Sequence, residues 1–244
     1  MNKNLRKTYL ITGGAGFIGS NLVNFLLDKN FNVIVLDNLS TGKKENLKKN
    51  RNLKFFKVDI SKKINHRKYF AKADYVIHLA GIADIVPSII NPKKYFDSNV
   101  TGTLNILESC RKYKNIKKII YAASASCYGI PKKFPTDEKS KIEPMYPYAL
   151  TKNLGEKLAM HYFKIYKLPI ISLRFFNIYG PNSRTTGAYG AMFGVFLAQK
   201  INNQPLTIVG NGNQTRDFLY VLDLCRAILK ASLSKKKGEI YNVA

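Results

Sequence analysis

The amino-acid sequence predicts an α/β protein, a doubly wound parallel sheet with helices on both faces. Short apolar runs alternate with longer segments of helical periodicity through the first 174 residues, and such β-α-β series close into sheets with right-handed crossovers. The runs are apolar almost throughout, which is typical of parallel strands that are covered on both sides. A glycine-rich turn joins the first run to the first helical segment.

Six apolar runs are predicted as strands and three longer segments as helices. The strands are Tyr9–Thr12, Asn32–Asp37, Leu53–Val58, Tyr75–Leu79, Lys118–Ala122 and Ile170–Arg174. The helices are Phe17–Lys29, Pro92–Lys112 and Tyr146–Tyr166. In the third helix, apolar residues recur at steps of three and four and form an apolar face: Leu150, Leu154, Leu158, Tyr162 and Ile165.

The composition changes after residue 174. The segment Phe175–Asn213 is rich in glycine, asparagine and aromatic residues and has one clear helix near Met192–Asn202. We expect it to form a smaller layer beside the sheet, built around a substrate. The sequence thus predicts two parts, an α/β domain over residues 1–174 and a smaller lobe over residues 175–244, where the chain ends in a strand.

The charge is unusually positive, with 40 Lys and Arg residues against 15 Asp and Glu residues and a formal net charge of +25. Clustered positive charge would favour nucleic acid binding. Here the lysines occur in scattered pairs, and no helix-turn-helix, zinc-finger or RNP-type pattern accompanies them. We therefore expect no nucleic-acid partner, although a basic field would attract an anionic substrate.

Cysteines, histidines and apolar runs exclude several other classes. The three cysteines have no C-x-x-C spacing and are expected to be reduced thiols of a cytoplasmic protein. The three histidines are too far apart in sequence for a local metal motif, so we expect no metal site. No apolar stretch approaches the length that spans a bilayer, and the polar start leaves no room for a signal peptide. We expect a soluble protein with no membrane partner.

The turn after the first strand has the residues that bind a dinucleotide. It reads Thr-Gly-Gly-Ala-Gly-Phe-Ile-Gly from Thr12 to Gly19. Its glycines allow a tight turn and a close approach of backbone to a pyrophosphate, while the following helix offers unpaired N–H groups and a partial positive charge. The predicted contacts are Gly13, Gly16, Phe17, Ile18 and Gly19.

The second strand ends in an acidic residue, Asp37, eighteen residues past Gly19. A carboxylate here would hydrogen-bond the adenosine ribose hydroxyls and repel a 2′-phosphate, which favours NAD over NADP. Lys43 and Lys44 follow closely and weaken that preference. The expected cofactor is NAD.

Tyr148 and Lys152 stand four residues apart in a predicted helix, so both lie on one face. A phenol with an ordinary pKa near 10 is a poor base at neutral pH. A neighbouring ammonium and the positive nicotinamide ring would favour the phenolate and lower that pKa. Ser124 stands just past a predicted strand end, between the glycine turn and this pair. The three residues are the predicted catalytic group.

Together these motifs resemble the extended short-chain dehydrogenase/reductase family, specifically its NAD-dependent nucleotide-sugar epimerases and dehydratases, and most closely the UDP-glucose or UDP-N-acetylglucosamine 4-epimerases. The similarity runs over essentially the whole chain. The stretches that carry it, besides the motifs above, are Asp37–Gly42, Asp59–Ile60, His78–Gly81, Asn99–Thr103, Ser124–Gly129, Arg174–Pro181 and Gln214–Phe218. The resemblance implies a Rossmann fold with a substrate-binding lobe, of which residues 175–244 would be a part.

The resemblance also implies roles for individual residues. Cofactor contacts would come from the stretch after Asp37, from the residues flanking the adenine, from those lining the nicotinamide side, and from one near the phosphates. These are, in turn, Asn38, Ser40, Thr41 and Gly42; Asp59 and Ile60; Leu79, Ala80 and Gly81; and Asn99.

On the substrate side, Ser124 would hydrogen-bond the reacting sugar hydroxyl, Tyr148 would act as base, and Lys152 would hold the nicotinamide ribose. Asn177 and Arg216 would contact the substrate diphosphate. For Arg216 the chemistry agrees independently, because guanidinium suits a bidentate grip on phosphate.

The reaction implied is epimerisation of a nucleotide sugar, most simply at C4 of a UDP-hexose, through a transient keto-sugar. A 4,6-dehydratase would carry Asp-Glu after the Ser/Thr, and a decarboxylase a Glu at the second of these positions. Here Ala125 and Ser126 occupy them, which disfavours both alternatives. A non-catalytic NAD- or RNA-binding module is the alternative of another class; the intact catalytic group opposes it. The related enzymes also imply a homodimer, in which Pro92–Lys112 and Tyr146–Tyr166 pair with their symmetry copies.

Overall fold

The computed structural model describes residues 6–63, 66–183, 192–208 and 210–244, and for residues 66 and 67 the backbone alone. Its centre is a sheet of seven strands in the order β3-β2-β1-β4-β5-β6-β9, in which every neighbouring pair is parallel. The strands are β1 Thr8–Thr12, β2 Asn32–Asp37, β3 Leu53–Lys57, β4 Tyr75–His78, β5 Lys118–Ser124, β6 Ile170–Phe175 and β9 Glu239–Val243, with a separate parallel pair β7 Asn177–Tyr179 and β8 Phe218–Tyr220. The predicted doubly wound sheet is confirmed.

Helices cover both faces of this sheet. They are α1 Phe17–Asp28, α2 His66–Phe70, α3 Ile85–Ile90, α4 Pro92–Tyr95, α5 Gly102–Arg111, α6 Pro147–Tyr166, α7 Met192–Ile201 and α8 Val221–Leu233. Short 3-10 turns at Lys44–Asn46 and Ala125–Tyr128 and a π-helical turn at Phe96–Thr101 complete the elements. Among the described residues, no helix is long and apolar enough to cross a bilayer.

Two apolar cores lie on the two faces of the sheet, because alternate residues of each strand point to opposite sides. On one face Leu10 packs in a cluster with Ile106 of α5 and Ala159 of α6. On the other face Ile11 packs in a cluster with Leu22 of α1 and Ile228 of α8. The central strands are therefore buried on both sides, as their uninterrupted apolar character predicts.

Strand order reverses at the centre of the sheet. From β1 the chain proceeds outward through β2 and β3 and then returns to β4, on the other side of β1. The turns that follow β1 and β4 diverge here and leave a crevice at the carboxyl ends of the strands, which is where ligands bind in such sheets. The glycine turn and the residues after His78 both lie at this point.

The predicted helix Pro92–Lys112 is wrong in detail, because the structure interrupts it. Helix α4 ends at Tyr95, six residues follow in π-helical geometry, and α5 begins at Gly102. The insertion turns the polar side chain of Asn99 inward, where it is 2% exposed. Such π turns interrupt helices preferentially at functional sites.

The apolar face predicted for α6 is buried only in part. Tyr162 is 7% exposed and belongs to the apolar core, and Leu158 packs against that core, but both ends of the predicted face are open to solvent. Leu150 and Ile165 are 37% and 51% exposed, whereas Lys152 and Glu156 are 8% and 4% exposed. Charged side chains can be buried when the interior offers them hydrogen-bond or ion-pair partners. Glu156 has such partners, which are described below. Ser124, expected just past a strand, is the last residue of β5.

The segment 175–244 is divided between two places. Its end contributes α8 to one face of the main sheet and β9 to the sheet edge beside β6. Strands β7 and β8 form a separate two-stranded sheet, and α7 lies between them in the chain. Helix α8 has no counterpart in the sequence-based assignment, which contains a single helix after residue 174.

Candidate active site

The glycine turn is folded against the residues after β4. Gly13 has φ +71, a conformation that side-chain-bearing residues rarely adopt, and a Cβ there would lie 2.7 Å from the backbone nitrogen of Ala80. A Cβ on Gly19 would lie 2.0 Å from the carbonyl oxygen of Gly13. Both glycines are thus required by the fold itself.

Gly16 differs from these two. Its φ of −74 is open to any residue, and a Cβ would meet no atom of the described protein closer than the Gly13 carbonyl oxygen at 3.4 Å. It is the N-cap of α1, and no side chain caps the first turn of that helix. Glycine and bare N–H groups at a helix start fit the close approach of a pyrophosphate, so the residues present fit NAD.

Asp37 holds the turn as well as facing the predicted ribose site. One carboxylate oxygen accepts the N–H of Ala15 at 2.9 Å, and the other accepts the N–H of Leu39 at 2.7 Å. Each oxygen keeps a further lone pair for a ligand. Sequence reasoning assigned Asp37 to the cofactor alone and missed that it also ties the second strand to the glycine turn.

Two adjoining clefts of about 550 and 380 Å³ lie beside this turn. Both are lined by Ser40, Ile82, Asn91 and Lys94. The larger is also lined by Thr41, and the smaller by Asn38 and Asp59, so four of the predicted cofactor residues, Asn38, Ser40, Thr41 and Asp59, line these two clefts. Ile60 differs, since it is 6% exposed and belongs to the apolar core beside α5.

The carboxylate of Asp59 is held ready in this groove. Burial acts to raise the pKa of Asp59, but hydrogen bonds from Ser61 and Asn38 outweigh it and hold that pKa below its ordinary value. The group is therefore ionised at neutral pH and can accept hydrogen bonds there.

A chain of hydrogen bonds supports the residues after β4. The N–H of Ala80 donates to the Thr12 hydroxyl at 3.1 Å, and that hydroxyl contacts His78 Nδ1 at 2.7 Å. His78 Nε2 contacts the Thr103 hydroxyl at 2.9 Å, and Thr103 donates to the Asn99 carbonyl at 2.6 Å. Because Thr103 gives its proton to Asn99, it accepts from His78, which assigns the ring proton to Nε2.

His78 stays neutral in this position. Burial, followed by the charge of Lys152, lowers the pKa of His78 to about 3. The ring is thus a fixed support for Leu79, Ala80 and Gly81, the predicted wall of the nicotinamide site. Its place in a motif was noted in the sequence, whereas its partners were not predictable.

The side-chain amide of Asn99 forms its hydrogen bonds with other groups of the protein. Its amide oxygen accepts the N–H of Ile82 at 2.8 Å, and its amide nitrogen donates to the Ile82 carbonyl and the Thr151 hydroxyl, both at 3.0 Å. Both donor hydrogens of the amide are used. Asn99 therefore joins Ile82, in the loop between β4 and α3, to Thr151 of α6. The predicted contact of Asn99 with cofactor phosphates gains no support from this geometry.

The three predicted catalytic residues converge at the carboxyl end of β5. Tyr148 lies in the first turn of α6, and hydroxyls of Ser124 and Ser126 act on its phenol. Burial raises the pKa of Tyr148 above its ordinary value, the two serine hydroxyls oppose this, and the charge of Asp84 adds to it. The expected lowering of this pKa by Lys152 is not found in the protein without NAD, since Lys152 is not among the groups that act on Tyr148. The Lys152 ammonium lies 4.9 Å from the centroid of the Tyr121 ring.

Lys152 carries an unusually buried ammonium. Burial lowers the pKa of Lys152 to about 8, although the carboxylate of Glu156, one turn further along α6, acts to raise it. Between these opposing effects the desolvation of the charge dominates.

Glu156 is itself engaged in a buried ion pair. Its carboxylate accepts three hydrogen bonds from Arg174, at 2.6, 3.0 and 3.2 Å, and one from the Ser172 hydroxyl at 2.8 Å. The same guanidinium donates to the phenol oxygen of Tyr128 at 2.6 Å. Arg174 therefore contacts both the helix of Tyr148 and Lys152 and the turn that follows Ser124.

The predicted substrate residues lie at the small sheet. Asn177, the first residue of β7, donates to the Asp217 carbonyl at 3.0 Å and pairs with Phe218 of β8. Arg216 is exposed, and its guanidinium donates to the Thr215 carbonyl at 2.7 Å. Phe175 pairs with Ser124 across β5 and β6, so Asn177 follows two residues after the strand position beside the predicted catalytic serine.

Known proteins share this architecture. The family model described as the NAD-dependent epimerase/dehydratase family matches residues 9–244. The chain belongs to that family.

Similar proteins include a putative UDP-glucose 4-epimerase of Methanocaldococcus jannaschii, 42% identical over 236 residues, which are 96% of this chain and 75% of that protein. A solved UDP-N-acetylglucosamine 4-epimerase of Methanobrevibacter ruminantium, in complex with UDP-N-acetylmuramic acid, is 34% identical with a TM-score of 0.93, covering 98% of this chain and 76% of that one. A UDP-glucuronic acid 4-epimerase of Bacillus cereus, in complex with UDP-glucuronic acid and NAD, is 34% identical with a TM-score of 0.88, covering 97% and 77%.

As a member of the NAD-dependent epimerase/dehydratase family, the protein is an enzyme that uses NAD. Within the part of the chain that the structure describes, no group of three or more His, Cys, Asp or Glu side chains could hold a metal ion. The three described cysteines are buried and unpaired with one another.

Gly16→Ala should separate ligand binding from folding. We expect the free energy of unfolding without NAD to fall by no more than about 1 kcal/mol, since the added methyl contacts only the Gly13 carbonyl oxygen, at 3.4 Å, at an N-cap that favours glycine over alanine. The dissociation constant for NAD should rise at least about tenfold, because the methyl fills the cradle of the pyrophosphate. Calorimetric titration with NAD and denaturant unfolding measure the two quantities. Gly19→Ala is the matched control, which should destabilise the protein itself; unchanged NAD affinity of Gly16→Ala would contradict this assignment.

Lys152→Met should stabilise the NAD-free protein below pH 8. The pKa of Lys152 is lower in the folded than in the unfolded protein, so its charge opposes folding at neutral pH, and this cost disappears as pH rises from 8 towards 10.5. Removing it should raise the free energy of unfolding by up to about 3 kcal/mol at pH 6.5, and by little at pH 10. Denaturant titration at both pH values, beside the exposed control Lys157→Met, checks this; a gain that does not depend on pH would refute it.

Proposed function

We propose that this enzyme interconverts nucleoside diphosphate hexoses that differ in configuration at C4, with a UDP-hexose as substrate. The observation that carries the proposal is the Ser124–Tyr148 pair at the end of β5, followed by Ala125 and Ser126 rather than by carboxylic acids. Such a pair can remove and return one hydroxyl proton but offers no acid at positions 125 and 126 for the elimination of water. The similarity to three 4-epimerases supports the same reading.

The protein's residues divide the work of the reaction. When bound, NAD supplies the acceptor and donor of hydride. Tyr148 takes the proton of the C4 hydroxyl as that carbon is oxidised and returns it when the carbon is reduced from its other side. Ser124 hydrogen-bonds the same oxygen, first as hydroxyl and then as keto group. Lys152, placed one turn after Tyr148, holds the nicotinamide ribose.

Substrate binding is proposed to involve the region of β7, α7 and β8, as the smaller lobe. Asn177 is the first residue of β7, and Arg216 precedes the first residue of β8 by two positions. These two side chains would hold the diphosphate of the sugar nucleotide. Remote binding of that diphosphate leaves the sugar free to present either face of C4. The net charge of +25 favours such an anionic ligand. We place the reaction in the cytoplasm, where thiols like the three buried cysteines stay reduced.

Turnover is tested by incubating the full chain with NAD and either UDP-glucose or UDP-N-acetylglucosamine. We expect the 4-epimer to appear in the proton NMR spectrum of the sugar, without net change in NAD. Tyr148→Phe should lower the rate by roughly 10²–10⁴-fold, because the proton carrier is lost. Tyr166→Phe, at the exposed end of the same helix, is the control and should keep the rate. A 4-keto-6-deoxy sugar as the accumulating product would refute the proposal.

We also propose a C2 homodimer in which α5 and α6 pair with their symmetry copies. Support comes from exposed apolar side chains on these helices, with Leu104, Leu150 and Ile165 being 38%, 37% and 51% exposed. Buried in a four-helix interface, they would lose this contact with water.

Sedimentation at micromolar concentration should show a dimer for the wild-type chain and a monomer for the double variant Leu104→Asp/Leu150→Asp. The introduced carboxylates would be buried in the interface with no opposite charge beside them. Leu233→Asp, on the exposed end of α8, should remain a dimer. A monomeric wild-type chain at this concentration would disprove the proposed interface.

A further inference from the structure

The turn after β5 places a second serine against the first. Ser124 is the N-cap of the 3-10 turn Ala125–Tyr128. Its hydroxyl oxygen accepts a hydrogen bond from the N–H of Ser126 at 3.2 Å and another from the Ser126 hydroxyl at 2.9 Å. Residue 126 therefore approaches Ser124 with both its main chain and its side chain.

These two bonds determine where the proton of Ser124 can go. A serine hydroxyl has two acceptor positions and one donor. Both acceptor positions of Ser124 are filled from Ser126, so its own O–H must point away from that residue. The phenol of Tyr148 is a hydrogen-bonding neighbour of the Ser124 hydroxyl and can accept that proton.

The position of Ser126 is fixed by the surrounding packing. Cys127 and Tyr128, which follow it, are 2% and 3% exposed. Tyr128 accepts from Arg174 at 2.6 Å, and Arg174 is paired with Glu156 of α6. The turn that carries Ser126 and the helix that carries Tyr148 are thus joined through one buried guanidinium.

We infer that Ser126 is a positioning residue of the reaction, which acts by directing the hydroxyl proton of Ser124 towards Tyr148 and the reacting sugar oxygen. The inference rests on the proposed roles of Ser124 and Tyr148. Alanine at 126 would leave an acceptor position of Ser124 open and free its hydroxyl to rotate. An ionised carboxylate at 126 would accept the Ser124 proton itself and turn it away from the phenol.

Both serine hydroxyls act on the pKa of Tyr148. Because Ser126 gives its single proton to Ser124, its effect on the phenol is transmitted through Ser124. The two hydroxyls act to lower the pKa of Tyr148 against burial and the charge of Asp84. A phenolate is stabilised by donors and destabilised by desolvation and by like charge. Loss of the Ser126 hydroxyl should therefore make Tyr148 a less available base at neutral pH.

The first test measures the ionisation of Tyr148 directly. Protein labelled with ¹³Cζ-tyrosine and loaded with NAD is titrated by NMR, and the Tyr148→Phe variant identifies the signal. We expect Ser126→Ala to raise the pKa of Tyr148 by about one unit and Ser126→Thr to restore it. Ser234→Ala, whose hydroxyl donates to the Ala231 carbonyl at the end of α8, should leave it unchanged. An identical Tyr148 titration in Ser126→Ala and wild type overturns the inference.

The second test uses turnover and separates this inference from the proposed function. In Ser126→Ala, kcat at pH 7 should fall roughly tenfold, with the KM for sugar nucleotide unchanged and the acid limb of the kcat profile moved to higher pH. Ser126→Thr should recover the rate. If the wild-type chain epimerises no sugar nucleotide, the proposed function fails while the NMR titration still decides the role of Ser126. Lower unfolding stability of Ser126→Ala without a shift in either profile would make the residue merely structural and refute the inference.

Discussion

The ion pair between Glu156 and Arg174 links α6, the helix of Tyr148 and Lys152, to the sheet. Both side chains are 5% exposed, and each has further partners, Ser172 for the carboxylate and Tyr128 for the guanidinium. A buried pair contributes little net stability when it is compared with apolar residues, but removing one partner typically costs about 3–5 kcal/mol because a charge is left alone. The pair therefore acts mainly by fixing positions, since its directional hydrogen bonds join α6, β6 and the 3-10 turn that contains Tyr128.

From this pair the network extends outward through Tyr128. The phenol of Tyr128 donates to the Asn242 side chain at 2.8 Å, and Asn242 donates in turn to the Thr136 carbonyl at 3.0 Å. The edge strand β9 is thus connected to the loop after the 3-10 turn. The same buried contacts hold three segments in their relative positions: helix α6 with its polar buried face, the 3-10 turn Ala125–Tyr128, and the edge strand β9.

Local patterns explain what could be read from the sequence. The glycine turn, the acidic end of β2 and the strands around them follow from neighbouring residues, so the fold and the predicted Gly13–Gly19 and Asp37 positions needed no long-range information. The Tyr148 and Lys152 spacing is also local, since a helix places them on one face. Ser124 was predicted from its place just past a strand end, between the glycine turn and this pair, and the family resemblance then gave it a role.

What the sequence did not reveal depends on partners that are far apart along the chain. The π turn that buries Asn99 is set by Ile82 and Thr151, and the polar face of α6 by Arg174. Two further roles depend on hydrogen-bond directions, which periodicity does not encode. These are the contact of Ser126 with Ser124 and the contact by which Asp37 holds the glycine turn. Helix α8 has a regular amphipathic pattern, and its apolar face could have been detected by the same criterion that identified α1.

The chain of hydrogen bonds through His78 has a consequence for how the enzyme meets its surroundings. Every bond in it runs from Ala80 towards Asn99, and the imidazole keeps one tautomer with a pKa of about 3. Acidification that would charge an ordinary histidine leaves this one untouched. The wall beside the proposed nicotinamide site therefore presents the same electrical environment in mildly acidic and in neutral media, and any acid sensitivity of the enzyme must originate in other groups.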